Sequence, residues 1–559
     1  MDLSESYMQE NALILLKGIW YSELPAIIDF DSMSAKLLNA LENMRNIDGY
    51  EFDDQEFIHK FKGVVSPEYI RPLGAECITY YDFKNNGSLR EMQIPNLKLY
   101  MAFIYNTLHV YEDIFEKLYT NENNKEIIGN SNSYLVFEKS FEIHSEYDDS
   151  VLEFEAGVFA DKNNKISGSA MLNKNRKSYY TKQASYLYKM KIDLESFFPN
   201  LYTHYFHRIF NKEPFVTLNV PENYFKFLDN FHQKINDNQT KGIPAGVFSS
   251  HVAAELCMLC VDYKIKNLIK DLNVSYIRYV DDFTFFSNSK EQLEDLKIKI
   301  QQILNEFRLR INGNKTEIIQ CIYDYPQIDR EELTSTLKWL SHTEDEVIAI
   351  SDSNLIQLKK YIALLIKQKN YSQVKSCLTL LEKRISNQEI KLSDIEISLF
   401  LYMMQLSQTN VVLASRAYGV INAIIKSSEC PNDYKDRLIA ASNDVNLKFF
   451  DTILQIWHYY VLLDNFDDLE VEQILNIKNC NPIILTMLVK DGSNVNRELF
   501  NYIVEEYKKS IANQDKWKSE IMYSKFWLPL FAISLHDPHN YDGFYSLECY
   551  PDILKKFKI

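Results

Sequence analysis

Glycine and proline are scarce in this chain, 14 of each in 559 residues. Glycine supplies the left-handed backbone of tight turns, and proline fixes φ where turns begin. A sequence poor in both is not built mainly from short strands joined by hairpins, and long helices with few turns are expected. Long apolar runs are missing as well: no uninterrupted stretch of about 20 apolar residues offers a membrane span. Asp2, Glu5 and Glu10 precede only a short apolar stretch at Ala12–Leu16, which is not the pattern of a secretory signal. An excess of positive charge is also lacking, since 61 Lys and Arg against 77 Asp and Glu leave a formal net charge of −16. Proteins that hold long nucleic acid tightly present basic surfaces, because phosphate neutralisation drives that affinity. The balance argues against a tight, sequence-independent grip on a long duplex, while leaving room for a local basic cleft. Paired cysteines at metal-binding spacing are missing too. The eight cysteines (Cys77, Cys257, Cys260, Cys321, Cys377, Cys430, Cys480 and Cys549) are scattered. Cys257 and Cys260 spell CxxC, but they fall in an apolar helical run without a second pair, which is the setting of buried free thiols. A reducing cytoplasm is the expected compartment, and no membrane contact is expected.

What the chain does contain is apolar and aromatic: 46% hydrophobic residues, with 37 Tyr and 33 Phe. That is enough for a large core, and the length predicts two or three domains. Residues 1 to about 80 mix helical patterns such as Met33–Met44 with polar turns, and residues 81–325 alternate strands and helices. Tyr325-Pro326-Gln327 leaves that region, and a polar linker follows at Ile328-Asp329-Arg330-Glu331-Glu332. Beyond it, Leu355, Leu358, Ile362 and Leu365 show the 3- and 4-residue spacing of an amphipathic helix. Similar patterns recur at Val374–Leu381, Ile395–Leu406, Val411–Ile425, Phe449–Leu463 and Ile483–Val489, separated by polar breaks such as Ser427–Asn432. The reading is an α+β region over 1–325 and a large all-α region over 326–559. The latter is either a HEAT-like stack of helical repeats or an irregular bundle.

The most informative stretch is Tyr279-Val280-Asp281-Asp282, between the strand-like runs Val274–Arg278 and Phe283–Phe286. The paired aspartates read as the tip of a hairpin. Aspartate is a common turn residue, so the plain reading is an exposed acidic turn. Adjacent carboxylates repel unless a cation holds them, and with a third carboxylate from another strand they make a two-metal phosphoryl-transfer site. Other segments fall in order around the pair. Tyr188–Ile192 is an apolar-flanked strand leading to Asp193, then to Phe197 and Phe198. Lys241-Gly242-Ile243-Pro244-Ala245-Gly246 is a turn whose glycines allow close backbone approach to a substrate. Leu309-Arg310-Ile311-Asn312-Gly313-Asn314-Lys315-Thr316 follows the pair. Upstream, Asn85-Asn86-Gly87-Ser88-Leu89-Arg90 reads as a hairpin turn ending in a guanidinium.

This order resembles the fingers and palm of reverse transcriptases, over about residues 88–317. The resemblance implies that Asp193, Asp281 and Asp282 bind two Mg²⁺ ions and catalyse nucleotidyl transfer. It implies that Lys315 lies near the leaving pyrophosphate, although a solvated lysine on a turn fits the same residues. Arg90 would meet the triphosphate; an ordinary surface arginine after a turn reads equally well. Phe198 would stand against the sugar 2′-position and favour dNTPs, and Ala245 and Gly246 would support the nucleotide. The helical region would then replace a compact thumb, behind a fingers and palm with an N-terminal helical extension over 1–325.

Phe197–His204, Gly242–Pro244 and Ile94–Leu97 are similar to the abortive-infection reverse transcriptases of bacteria, the AbiK type. That resemblance implies anti-phage defence, untemplated DNA synthesis primed on a protein hydroxyl, and single-stranded DNA left attached to the chain. Homo-oligomers are expected on the same ground. One departure bears on the template: most reverse transcriptases carry Gln where this chain has Ala245, and that amide helps hold nucleotide against template. Tyr7, Tyr21, Tyr50 and Tyr69 precede the fingers motif as candidate primers, with no motif singling one out. His204 and His207 share helical spacing without a carboxylate that completes a metal site, and read as structural. A templated reverse transcriptase and a silent assembly module remain as alternative functions.

Overall fold

The structure is a computed structural model that describes residues 6–28, 41, 50–61, 74–120, 159–160, 166–167, 179–323, 330–341, 347–392, 395–467, 469, 480–490, 494–511, 514 and 521–536. Nearly all of the Met33–Met44 pattern, and Tyr325-Pro326-Gln327 with the start of the linker behind it, lie outside the described residues. Two antiparallel hairpins stand near the N-terminus: β1 (Tyr50–Phe52) with β2 (Ile58–Phe61), and β3 (Ile78–Phe83) with β4 (Leu89–Ile94). The second closes through Lys84 to Ser88, where Gly87 takes φ +80° with nothing near its absent Cβ. Its register sets Arg90 opposite Asp82. Helix Leu97–His109 follows, its first turn capped by the Asn96 side chain accepting from the Lys98 N–H. It is buried on almost every side, because its sequence offers no polar stripe.

After a short pair, β5 (Phe159–Ala160) and β6 (Ile166–Ser167), comes the sheet that positions the site. It has four antiparallel strands ordered β10-β7-β9-β8: β7 (Tyr188–Ile192), β8 (Val274–Tyr279), β9 (Asp282–Ser287) and β10 (Glu317–Gln320). Alternation sorts its side chains. Met190, Ile192, Tyr276, Phe283 and Phe285 are buried in the main core, while Lys191 and Thr284 point to the other face. Helix Lys290–Asn305 packs against β7 and β9, and helix Phe248–Ile269 runs beneath β8.

The rest of the chain is predominantly helical. Helices Asp352–Lys367, Tyr371–Ser386, Glu396–Thr409, Ala414–Ser427, Asn432–Lys448, Ile453–Asn465, Pro482–Met487, Asn494–Ser510 and Trp527–His536 pack largely on near neighbours. The strands described there are a two-residue parallel pair, β11 (Ile348–Ala349) with β12 (Ile390–Lys391). The expected runs Val411–Ile425 and Phe449–Leu463 are each split. Val411–Leu413 is a 3₁₀ turn ahead of its helix, and Asp451, at φ 54°, breaks the chain before Ile453. That break is used, since the Asp451 carbonyl accepts from the Tyr81 N–H at 2.8 Å and Thr452 bridges Tyr81 in parallel, extending the β3 edge. Asn481 donates to the Thr79 carbonyl at 2.9 Å, and Asn96 donates to that of Met522 at 2.9 Å. Glu23 receives Arg416 at 3.0 Å and Lys375 at 3.6 Å. The helical array is therefore fastened to the β3–β4 hairpin and to the segment around Glu23. Among the described residues no helix is long and apolar enough to cross a membrane.

Candidate active site

The hairpin between β8 and β9 pairs Tyr279 with Asp282 and leaves Val280 and Asp281 as its two-residue turn. Val280 has φ 54°. Hairpin turns of this length place glycine or asparagine at positive φ; a β-branched residue there is strained by roughly 1–3 kcal/mol. The strain is held from below. Arg278, fully buried, donates from Nη1 to the Val280 carbonyl at 2.9 Å. The same guanidinium forks onto Glu255, with Nη1–Oε2 and Nη2–Oε1 both at 2.7 Å, and onto Asp262, with Nη2–Oδ2 at 2.6 Å. Tyr276 donates to Asp262 at 3.2 Å. Glu255 and Asp262 are two helical turns apart, so both face β8. Burial pushes the Asp262 carboxyl up, and the guanidinium opposes that shift.

Asp193 follows β7 and enters from the neighbouring strand, because Ile192 pairs with Phe283 and places Asp193 beside Asp282. Its backbone is fixed by the segment 309–312: Leu194 bridges Ile311, and the Asn312 N–H donates to the Asp193 carbonyl at 2.8 Å. The Asn312 side chain donates to Asp193 Oδ2 at 3.1 Å, and the Lys315 ammonium reaches Oδ1 at 2.9 Å. Electrostatics ties the three carboxylates together. Burial, then the charges of Asp282 and Asp193, push the Asp281 carboxyl up to about 7. Asp282 is raised by burial and by the charge of Asp193, and the Lys315 charge opposes the shift. Three carboxylates sharing one site favour a bound cation, and an all-oxygen donor set suits Mg²⁺. Among the described residues, however, no three acidic, histidine or cysteine side chains close around a point where a metal would sit. Lys315 sets a positive charge against Asp193.

The expected nucleotide residues flank this centre. Phe198, half-buried in the short helix Phe197–Asn200, meets Phe197 edge-on at 5.2 Å and His251 at 5.1 Å. The Phe198 carbonyl accepts from the Ile243 N–H at 3.1 Å, which ties the 241–246 loop to the Asp193 segment. Gly246 takes φ +84°, a backbone conformation that favours glycine, and packs against the flexible end of Met92 on β4. Ala245 accepts from the Gln93 N–H at 3.4 Å across the same contact. Arg90 stands exposed on β4 opposite Asp82. Tyr21 lies 3.7 Å from the same Gly246 position and donates to Asp82 at 3.5 Å; burial and Asp82 raise its hydroxyl well above the usual range. Tyr69 and the side chains of Tyr7 and Tyr50 lie outside the described residues.

His204 pairs with Asp229 at 3.0 Å and His207 with Glu222 at 3.2 Å, each joining one helix to the next. Cys257 and Cys260 are buried thiols, Cys257 pushed up to about 12 by burial. The residues that sequence reasoning missed are Arg278, Glu255, Asp262 and Asn312. The first three carried a signal: a charge inside the strand Val274–Tyr279, and two acids seven apart in an apolar helix. Asn312 carried none, because its role depends on a contact 119 residues away.

Residues 139–344 match the family model described as reverse transcriptase (RNA-dependent DNA polymerase), a span that holds Asp193, Asp281, Asp282 and Lys315. The chain is 29% identical over 104 residues to the Retron Se72 reverse transcriptase of Salmonella heidelberg (strain 579083-10), covering 18% of this chain and 26% of that protein. It is 26% identical over 134 residues to the Retron Ec83 reverse transcriptase of Escherichia coli, covering 23% and 43%. The matches thus span less than half the length of these relatives. A solved apo telomerase from Candida tropicalis is similar at a TM-score of 0.32 and 12% identity, covering 77% of this chain and 72% of that one. The fold is a reverse-transcriptase-like fingers and palm followed by a predominantly helical region, and residues 139–344 are the part that matches the reverse transcriptase family model.

Proposed function

We propose that this chain is a DNA polymerase that transfers deoxynucleotides from dNTPs at Asp193, Asp281 and Asp282. The observation that carries the reading is the charge coupling of Asp193, at the end of β7, with the adjacent Asp281 and Asp282 at the β8–β9 turn, inside the span that matches the reverse transcriptase family model. The three would hold two Mg²⁺ ions, which when bound supply activation of the attacking hydroxyl and neutralise the triphosphate. Asp193 and Asp282 lie side by side at the ends of β7 and β9, and Asp281 presents its carboxylate from the turn. Lys315 adds a cation, or a proton donor, for the departing pyrophosphate. Phe198 offers a ring edge against the sugar, which disfavours a 2′-hydroxyl, and Arg90 offers a fork for phosphate.

The finer reading is that synthesis needs no template, starts on a tyrosine of the chain itself, and leaves single-stranded DNA attached to it. The enzyme would act in anti-phage defence as a homo-oligomer. This reading is supported by Ala245 in place of an amide, by the net charge of −16, and by the resemblance to the AbiK type. Templated synthesis is the second reading, favoured by the similarity to two retron reverse transcriptases. One assay separates them: purified protein, labelled dNTPs and Mg²⁺, with no nucleic acid, resolved on a denaturing gel. Label that stays with the protein after denaturation, and is released by protease, supports priming on a side chain. Synthesis only with added template and primer establishes the templated reading and sinks the other.

A further inference from the structure

We propose that Arg278 is a positioning residue for the paired aspartates, locking the strained turn that presents them; this rests on the polymerase reading above. Arg278 lies on the helix side of β8, opposite Phe283, and is fully buried. Its guanidinium is held in a fork by Glu255 at 2.7 Å and Asp262 at 2.6 Å, both on helix Phe248–Ile269. With its orientation fixed, Nη1 can reach up to the Val280 carbonyl at 2.9 Å. Val280 is the residue that needs holding, since its φ of 54° is a conformation that a β-branched side chain resists. Relaxation of Val280 to negative φ would rotate the Val280–Asp281 peptide and swing Asp281 and Asp282 away from Asp193. The same helix carries His251 against Phe198, so one rigid element sets both the carboxylates and the ring beside them. A lysine at 278 would keep the charge but could not bond two acids and a carbonyl in one plane.

The test uses the full chain with Mn²⁺ alone as the probe, its binding read by electron paramagnetic resonance, together with dNTP incorporation. Arg278→Lys is expected to weaken Mn²⁺ binding about 10-fold, within the range seen when a residue orienting metal ligands is removed. It should lower kcat with little change in KM for dNTP. Adding Val280→Gly, which adopts positive φ without strain, should recover a good part of the lost Mn²⁺ affinity. A merely structural arginine would lower the melting temperature yet leave the Mn²⁺ affinity of the folded protein unchanged, and the glycine would restore nothing. Should Arg278→Lys not fold, Glu255→Gln, which loosens the fork while keeping its volume, should weaken Mn²⁺ binding to a lesser degree. A wild-type protein that neither binds Mn²⁺ nor incorporates dNTP overturns the polymerase reading and this inference with it. A wild-type protein that binds Mn²⁺, with unchanged affinity in the folded variants, overturns the positioning role alone.

Discussion

The palm and the helical region differ in what they bury. Lys189, Glu255, Asp262 and Arg278 are buried charges in or beneath the palm sheet. Beyond residue 330 the buried polar side chains among the described residues are uncharged types or histidine: Gln373, Ser407, Ser442, Gln455, His458 and Asn481 among them. Burying charge is costly unless every partner is in place, so a region that keeps it there is held to one geometry. The helical region needs only packing and satisfied amides and hydroxyls. The difference separates the part of the chain that sets atoms for chemistry from the part that supports it. Support is literal at two places: Asp451, Thr452 and Asn481 on β3, and Arg416 with Lys375 on Glu23.

Mutations of matched kind should expose this contrast. The largest stability loss is expected for Arg278→Met, which strands Glu255 and Asp262 in the interior; breaking a buried ion pair from one side costs about 3–5 kcal/mol. Gln455→Leu in the helical region removes hydrogen bonds to the Asp451 N–H and to Asn446, and should cost about 1–3 kcal/mol. Chemical denaturation of both variants checks the order. Equal losses would erase the distinction.

Sugar selection should separate the regions in another way. Phe198→Ala should raise use of rNTP relative to dNTP, measured as a ratio of incorporation rates with folding monitored independently. An unchanged ratio in a folded variant would leave Phe198 as a packing residue against Phe197 and His251.

Stability should also depend on pH. Burial pulls the His458 imidazole down to about 3, where it sits between the Tyr418 hydroxyl at 3.0 Å and the Ser442 hydroxyl at 2.9 Å. The unfolded chain takes up a proton near pH 6.5 and the folded one does not. Stability from this group is therefore full above pH 6.5 and falls as pH drops toward 3, by about 1.4 kcal/mol per unit. Glu23 adds a lower window. Burial pushes its carboxyl up, but Arg416, Lys375 and the hydrogen bonds outweigh that and leave it at about 2, so its contribution is lost between 4.5 and 2. His458→Asn should reduce the slope of the melting-temperature profile between pH 6.5 and 4.5, leaving the part owed to His232 and His251, both pulled down to about 4 by burial. A profile unchanged by the substitution would contradict the assignment.

Much of the palm was legible because its chemistry is local. An acidic pair between two aromatic strands announces a hairpin tip, and an aspartate ending an apolar strand announces a partner. The structure brings Asp193 beside Asp282 through the register of β7 on β9. What stayed hidden depends on residues far apart in sequence. Arg278 could be seen as an odd charge in a strand, but its acids lie 23 and 16 residues away on a helix whose facing was unknown. Lys315 was expected near the leaving pyrophosphate, but its contact with the Asp193 oxygen, 122 residues away, was not legible. Helical periodicity located some of the C-terminal helices and passed over Asn432–Lys448, Asn494–Ser510 and Trp527–His536. It could not show that the break at Asp451 is a docking edge, because a backbone carbonyl aimed at β3 leaves no mark on side-chain pattern.

The most direct test is incorporation of labelled dNTP with Mg²⁺ by wild-type protein and by Asp281→Asn, with the thermal stability of each measured without metal. Asparagine keeps the side-chain volume and removes one of three mutually repelling charges. The account predicts loss of synthesis, with a melting temperature equal to or above that of wild type at pH 8, above the value of about 7 to which Asp281 is raised. Undiminished synthesis by a folded Asp281→Asn protein would contradict it.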